Sequence, residues 1–398
     1  MAKLIVSVLA LQALAAHSCD ELTTVNSLGS GDKFGTQVFA RTDAPGSRES
    51  APAAADCPAS VGANSAGDGA VLWLSPFDAD PATSPSSVAV DAGNDVFMTK
   101  ATGEVRKLSG ADGSLRWSKP FGSLVAVAPG GDVFVAGTFS GTLVLDATTL
   151  SAAGGTDAFL AVLDGDGNVT RAFALGGPGD ETAQSLAVDA NGRAFVSGSG
   201  LGTLAVDTAG ATLWRKTYAG NVATDATGNV VVAGGFTGSV DFGAATLTSE
   251  GGKDVFVVKL DGNGIPLFAR RFGDAGTQQE AQAISIDAAG NPLIAGVFDG
   301  TIDFGTGALT MGSCPSEAWC KTSGFIAELD ADGAAVWSRA RGPMRAFSSI
   351  AAGATGTVLA SGAEPGDADP YRMPLLLALD ASGQKVWERR EWPDSGLG

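Results

Sequence analysis

The stretch ISIDAAGNPLIAG at residues 284–296 holds a short apolar strand, an Asp-x-x-Gly-Asn turn and a second apolar strand. Gly and Asn accept the left-handed backbone that a tight turn between antiparallel strands demands, so the stretch reads as a β-hairpin. The pattern returns as SVAVDAGNDVFMT (87–99), AVAPGGDVFVAG (126–137), LAVDANGRAFVSG (186–198) and VATDATGNVVVAG (222–234), with a degenerate copy, IAAGATGTVLASG, at 350–362. Recurrence of one hairpin along the chain marks a repeat architecture.

Two further elements travel with the hairpin. A third strand runs into Leu-Asp in FLAVLD (159–164), FVVKLD (256–261), FIAELD (325–330) and LLLALD (375–380). Asp-Gly or a near equivalent, three residues and an aromatic follow, as in DGAVLW (68–73), DGSLRW (112–117), AGATLW (209–214), NGIPLF (263–268), DGAAVW (332–337) and SGQKVW (382–387). DGNVTRAF (166–173) carries Arg171 in the aromatic slot and Phe173 two residues on, which keeps the strand face.

Each repeat therefore supplies about four short strands, too few to bury both faces alone. Four-stranded blades packed around an axis solve that problem, and the fold class is an all-β propeller. Six hairpins predict six blades; a seventh would draw on strands from 20–65. The surplus strand at 68–77 is expected to close the ring against the last blade. Three repeats also carry an insert, GTFSGTLVLD (137–146), GFTGSVDFG (235–243) and GVFDGTIDFG (296–305), expected to project from one rim. The division is a signal at 1–18, a low-complexity lead-in at 19–65 with one strand in TQVFART (36–42), a propeller at 66–392 and a tail at 393–398.

Composition agrees. Gly is 56 of 398 residues, which turn-rich repeats require, and a 44% hydrophobic fraction is ample for a core. Lys+Arg 25 against Asp+Glu 43 gives −18, which argues against a nucleic-acid partner. The single histidine, His17, lies beside the export signal, so the folded body has none. That removes Ser-His-Asp and Cys-His catalysis and His-ligated zinc or iron.

The D-x-x-G-N, G-x-F-x-G-T, G-G-x-D-x-F-V and L-D-x-x-G pattern resembles the bacterial β-propeller repeats called SBBP, over about 87–392 and most clearly at 126–176 and 222–342. The Asp-Gly-x-x-x-Trp strands also resemble quinoprotein-type propeller repeats. The resemblance implies the fold and export, and it brings no activity and no catalytic residues.

Lys3 followed by the apolar run Leu4–Ala16 has the layout of a secretory signal and is too short to span a bilayer. Two cleavage readings stand. Ala13-Leu14-Ala15 fits a small-x-small site, whereas Ala16-His17-Ser18-Cys19 resembles a lipobox that would lipidate Cys19. Cys314 and Cys320 enclose Pro-Ser-Glu-Ala-Trp and are candidates for a disulfide in an exported chain; Cys57 pairs with Cys19 only if Cys19 carries no lipid. Trp319, inside that loop and outside the repeat, is a candidate binding anchor or a folded-over hydrophobic plug.

Other candidates are weighed against the repeat. DGDGN (164–168) is similar to a calcium loop, but Val169 and Leu175 stand where that loop needs Gly and Glu, and the same turn recurs at 261–264 and 330–333. It reads as turn chemistry. Trp73, Trp117, Trp214, Trp337 and Trp387 recur once per repeat, which favours packing between blades over a ligand-stacking ring. Lys119, Lys216, Arg270, Arg339 and Arg389, two residues further on, read as interblade ion pairs, as edge-strand charges that discourage aggregation, or as an anion-capturing ring.

The reading is an exported, monomeric propeller acting as a non-enzymatic binding or scaffold module for a protein or glycan at the cell envelope. The alternative is an enzyme with acid pairs or a quinone cofactor in the central channel; the vicinal Cys pair expected of a quinoprotein is absent from the sequence.

Overall fold

Alternating apolar residues between Asp/Gly turns leave the chain no choice but short antiparallel strands, and the computed structural model shows them throughout. It describes residues 20–26, 37–43 and 85–390, apart from 101, 277, 313–321, 345, 354–355 and 366–371. Six four-stranded sheets follow one another along the sequence, spanning 85–119, 124–174, 185–216, 221–272, 279–343 and 346–390; these are blades one to six. Blade three is the simplest: Ser185–Val188, Ala194–Gly198, Gly202–Val206 and Thr212–Lys216 pair in sequence order, from the innermost strand to the outer one. The hairpin of the repeat makes the two inner strands. The strand ending in Leu-Asp is third, and the Asp-Gly-aromatic strand is outermost.

The described residues give every blade its four strands, with Lys385–Arg390 completing the sixth. The closing strand expected at 68–77 lies outside the described residues, and no described blade requires it. In the lead-in, Gln37–Asp43 is a strand as TQVFART suggested; its partner, Asp20–Asn26, had shown no such signal.

Blades two, four and five carry the insert, as separate two-stranded hairpins at 142–151, 239–248 and 301–310. The expectation that they project from a rim is corrected. Each has a fully buried anchor, Leu145, Phe242 or Phe304, at the end of its first arm. Phe242 packs on Phe236, Phe256 and Tyr218, and Phe304 packs on Phe272 and Phe325. The hairpin thus folds onto its own blade and, through Phe304 on Phe272, onto the end of the preceding one, because burying such a side chain is worth about 1.5–3 kcal/mol.

The same blades explain the first glycine of the G-x-F-x-G-T pattern. Gly137, Gly234 and Gly296 in the second strand pair directly with Phe159, Phe256 and Phe325 in the third. A Cβ at Gly137 or Gly296 would stand 2.8 Å from the facing ring, so glycine makes room for a fully buried phenylalanine.

Candidate functional site

The turns come first, because they carry most of the charge. In each Asp-x-x-Gly turn the Asp Oδ1 accepts the amides two and four residues on: Asp189 from Asn191 and Arg193, Asp261 from Asn263 and Ile265, Asp330 from Asp332 and Ala334. The glycine at the fourth position takes positive φ, for example +75° at Gly192, and donates back to the Asp carbonyl. In DGDGN, Asp164 accepts from the Asn168 side chain and amide and from the Asp166 amide, and these bonds hold its carboxyl below the ordinary value. The calcium-like loop is therefore built as the same turn as its neighbours. Among the described residues no three His, Cys, Asp or Glu side chains converge as a metal site would need.

The repeated aromatics hold one blade to the next. Trp117 lies on Gly167, Trp214 on Gly264, Phe268 on Gly333 and Trp337 on Gly383, each glycine belonging to the outer turn of the following blade; a Cβ there would meet the ring at 2.5–2.8 Å. Phe173 lies on Gly210 in the same way, which confirms the two-residue offset. The indole N–H of each tryptophan donates into that turn, to Gly165 O at 3.1 Å, Gly262 O at 3.2 Å and Ala381 O at 3.2 Å. These residues are interblade cement, as their periodicity implied. Trp73 lies outside the described residues.

Three of the cations two residues further on, Lys119, Arg270 and Arg339, are also committed. Lys119 pairs with Asp146 of blade two at 3.0 Å. Arg270 donates to Asp332 O at 2.7 Å, and Arg339 to Gly383 O and Ser382 O at 3.1 and 3.0 Å. Ion pairs between blades were expected; carbonyls of the next turn take the arginines instead. A guanidinium forks across two carbonyls more readily than an ammonium does.

The innermost strands of all six blades line one cavity of about 220 Å³. Val88, Val125, Leu186, Val222, Ile284 and Ile350, one per blade at the same strand position, form an aliphatic belt. Toward the start of the strands the lining turns polar, with Ser87, Ser185, Asn221, Gln282 and Ser348 among it. Among the described residues no lining residue is acidic, basic, histidine or cysteine. The acid pairs that the enzyme alternative placed in the channel are therefore not on its wall.

A second surface was missed from sequence. Leu213, Leu267, Val336 and Val386, each immediately before the aromatic of its repeat, are 47–59% exposed on the outer strands of four consecutive blades. Blade one carries Arg116 at this position, and blade two carries Ala172 before Phe173. The signal was present, since the aromatic faces the next blade and its neighbour must face the other way, but exposure follows only once blades splay apart at the perimeter. Cys19, Cys314, Cys320 and Trp319, the lipidation, disulfide and binding candidates, lie outside the described residues.

Residues 58–244, somewhat under half the chain, match the family model described as outer membrane protein assembly factor BamB. The match supports the quinoprotein-type reading of the Asp-Gly-x-x-x-Trp strands. No curated protein matches the chain. Among solved structures, BamB from Moraxella catarrhalis is similar at 13% identity and TM-score 0.41, covering 80% of this chain and 77% of that one. A protein of unknown function from Bacteroides caccae is similar at 11% identity and TM-score 0.42, covering 94% of each. The propeller assignment itself rests on strand order and register.

Proposed function

We propose that this protein is an envelope-associated β-propeller that binds other proteins as a non-enzymatic scaffold. The observation that carries the reading is the row Leu213, Leu267, Val336 and Val386. A monomer gains nothing by repeating an exposed aliphatic on open edge strands in four blades, whereas a polypeptide partner laid along those edges would cover them. The match to the BamB family model supports an outer-membrane-related setting, and the signal-like residues 1–18 support export.

The finer parts of the reading belong to the same proposal. The repeats at 126–176 and 222–342 are of the SBBP type, Cys19 carries the lipid anchor, and Cys314–Cys320 staples a loop that presents Trp319 to the partner. Mass spectrometry of the mature N-terminus tests the anchor, and an unmodified Cys19 removes it. Two free thiols under denaturing, non-reducing conditions remove the staple.

The central test compares partners cross-linked in the envelope by the parent chain and by a Leu213→Thr, Leu267→Thr, Val336→Thr variant of unchanged melting temperature. Loss of a defined partner from the variant is expected. The same partners at the same yield would refute the outer-edge reading, and deletion of 313–321 in parallel shows whether the Trp319 loop carries the contact instead.

A further inference from the structure

The cavity on the propeller axis has a chemistry that the scaffold role does not use. Its wall carries no charge, so an ion entering it would lose hydration with nothing to replace it. It is nevertheless not an apolar void, because uncommitted hydrogen-bonding groups stand on three consecutive blades. Gln282 Oε1 is buried and has no hydrogen-bond partner. Asn221 spends its amide nitrogen on Ala281 O at 3.4 Å, which leaves its carbonyl oxygen as an acceptor. Ser185 Oγ accepts the Val222 amide at 3.0 Å, which leaves its O–H to donate.

These groups are neighbours. The Asn221 bond reaches the residue before Gln282, and the Ser185 bond reaches the residue after Asn221. Together they form an arc of two acceptors and one donor, and the aliphatic belt of Val88, Val125, Leu186, Val222, Ile284 and Ile350 lies beside it. A buried amide oxygen left without a donor costs about 1–3 kcal/mol, so a donor that reaches it, from water or from a ligand, is favoured there.

We infer that the axial cavity binds a small neutral polyhydroxylated molecule, of monosaccharide size. Its hydroxyls both donate and accept, as the mixed arc requires, and its C–H faces lie against the belt. At about 220 Å³ the cavity holds the volume of roughly seven waters, below the ~300–1,000 Å³ of drug-sized sites. A sugar acid is disfavoured twice, by the uncharged wall and by the net charge of −18. The inference is independent of the outer-edge contacts, which lie on other strands.

Saturation-transfer NMR on the purified chain, with D-glucose, D-ribose, myo-inositol and D-glucuronate as probes, tests it. Transfer to at least one neutral probe and none to glucuronate is expected. Gln282→Leu, with an unchanged melting temperature, is expected to weaken that binding at least about tenfold, since one buried hydrogen bond is lost. Should Gln282→Leu fold poorly, Asn221→Leu is read in its place with the same expectation. Absence of transfer to every neutral probe, equal transfer to glucuronate, or equal affinity in a folded variant would each overturn the inference.

Discussion

Trp337 donates its indole N–H to Glu328 Oε2 across 2.8 Å, at a position where the equivalent residues of blades one and four are Lys107 and Lys259. Those lysines pair with the turn aspartates of their own blades, Lys107 with Asp91 and Asp95 and Lys259 with Asp225. In blade five a carboxylate faces Asp287 instead, with Asn291 between them. Burial is the main cause raising the Glu328 carboxyl above its ordinary value, and Asp287 adds to it.

Glu328→Gln is therefore expected to stabilise the protein at neutral pH by about 1 kcal/mol, keeping an acceptor for Trp337 while removing the repulsion. A raised carboxyl binds more protons in the folded state, so its penalty appears as pH rises through the window above its ordinary 4.5. The gap between parent and variant should close as pH falls through that window. Chemical denaturation of both proteins across pH 4–8 checks it; a gap that widens on acidification would contradict the assignment.

Asp225 behaves in the opposite sense. Burial opposes its charge, but Thr227, Asn229 and Lys259 overcome that and hold its carboxyl below the ordinary value. Its contribution is complete above 3.8, the unfolded value, and is lost as pH falls through the lowered folded value. Asp225→Asn leaves the buried Lys259 ammonium without its carboxylate, with Gly290 O as its remaining acceptor, and should cost about 3 kcal/mol at neutral pH. The variant should then lose less than the parent on acidification, as followed by urea midpoints.

Tyr218 carries the opposite fault, a hydroxyl with no hydrogen-bond partner buried beside Phe242 and Phe256. Burial pushes its ionisation well above the ordinary tyrosine value. The corresponding residue between blades one and two is Phe121, which packs on Phe159. Tyr218→Phe should raise stability by about 1 kcal/mol, since only a desolvated hydroxyl is removed. A lower melting temperature would show that the hydroxyl has a partner in solution.

Gly383→Ala tests the interblade cement. The position has φ +73° and its Cβ would meet the Trp337 ring at 2.5 Å. Loss of about 2 kcal/mol or more is expected, from backbone strain and overpacking together. Gly130→Ala, in a turn with nothing near its Cβ, serves as the neutral comparison.

Much of this was legible beforehand, and the reason is periodicity. The Asp-x-x-Gly hairpins, the Leu-Asp third strand and the aromatic slot each repeat, so a local pattern seen six times constrains the whole. Phe173 was placed correctly because strand alternation has no tolerance for a shift of one residue. The insert hairpins were recognised as extra strands and given the wrong orientation, since Leu145, Phe242 and Phe304 look like ordinary strand residues until the blade end they cover is known. The arginines Arg270 and Arg339 were correctly assigned to the interface with the next blade, with the wrong acceptor, because sequence shows carboxylates but hides carbonyls.

From the sequence alone follow the all-β repeat, the four-stranded unit, six recurring hairpins and the absence of histidine chemistry in the folded body. Those depend on neighbours along the chain and on residue identity. Tertiary structure alone decided which residues meet across blades: the belt around the axis, the arc of Ser185, Asn221 and Gln282, and the exposed row from Leu213 to Val386. Convergence at the axis and splaying at the perimeter are properties of six sheets packed radially, and no single repeat contains them.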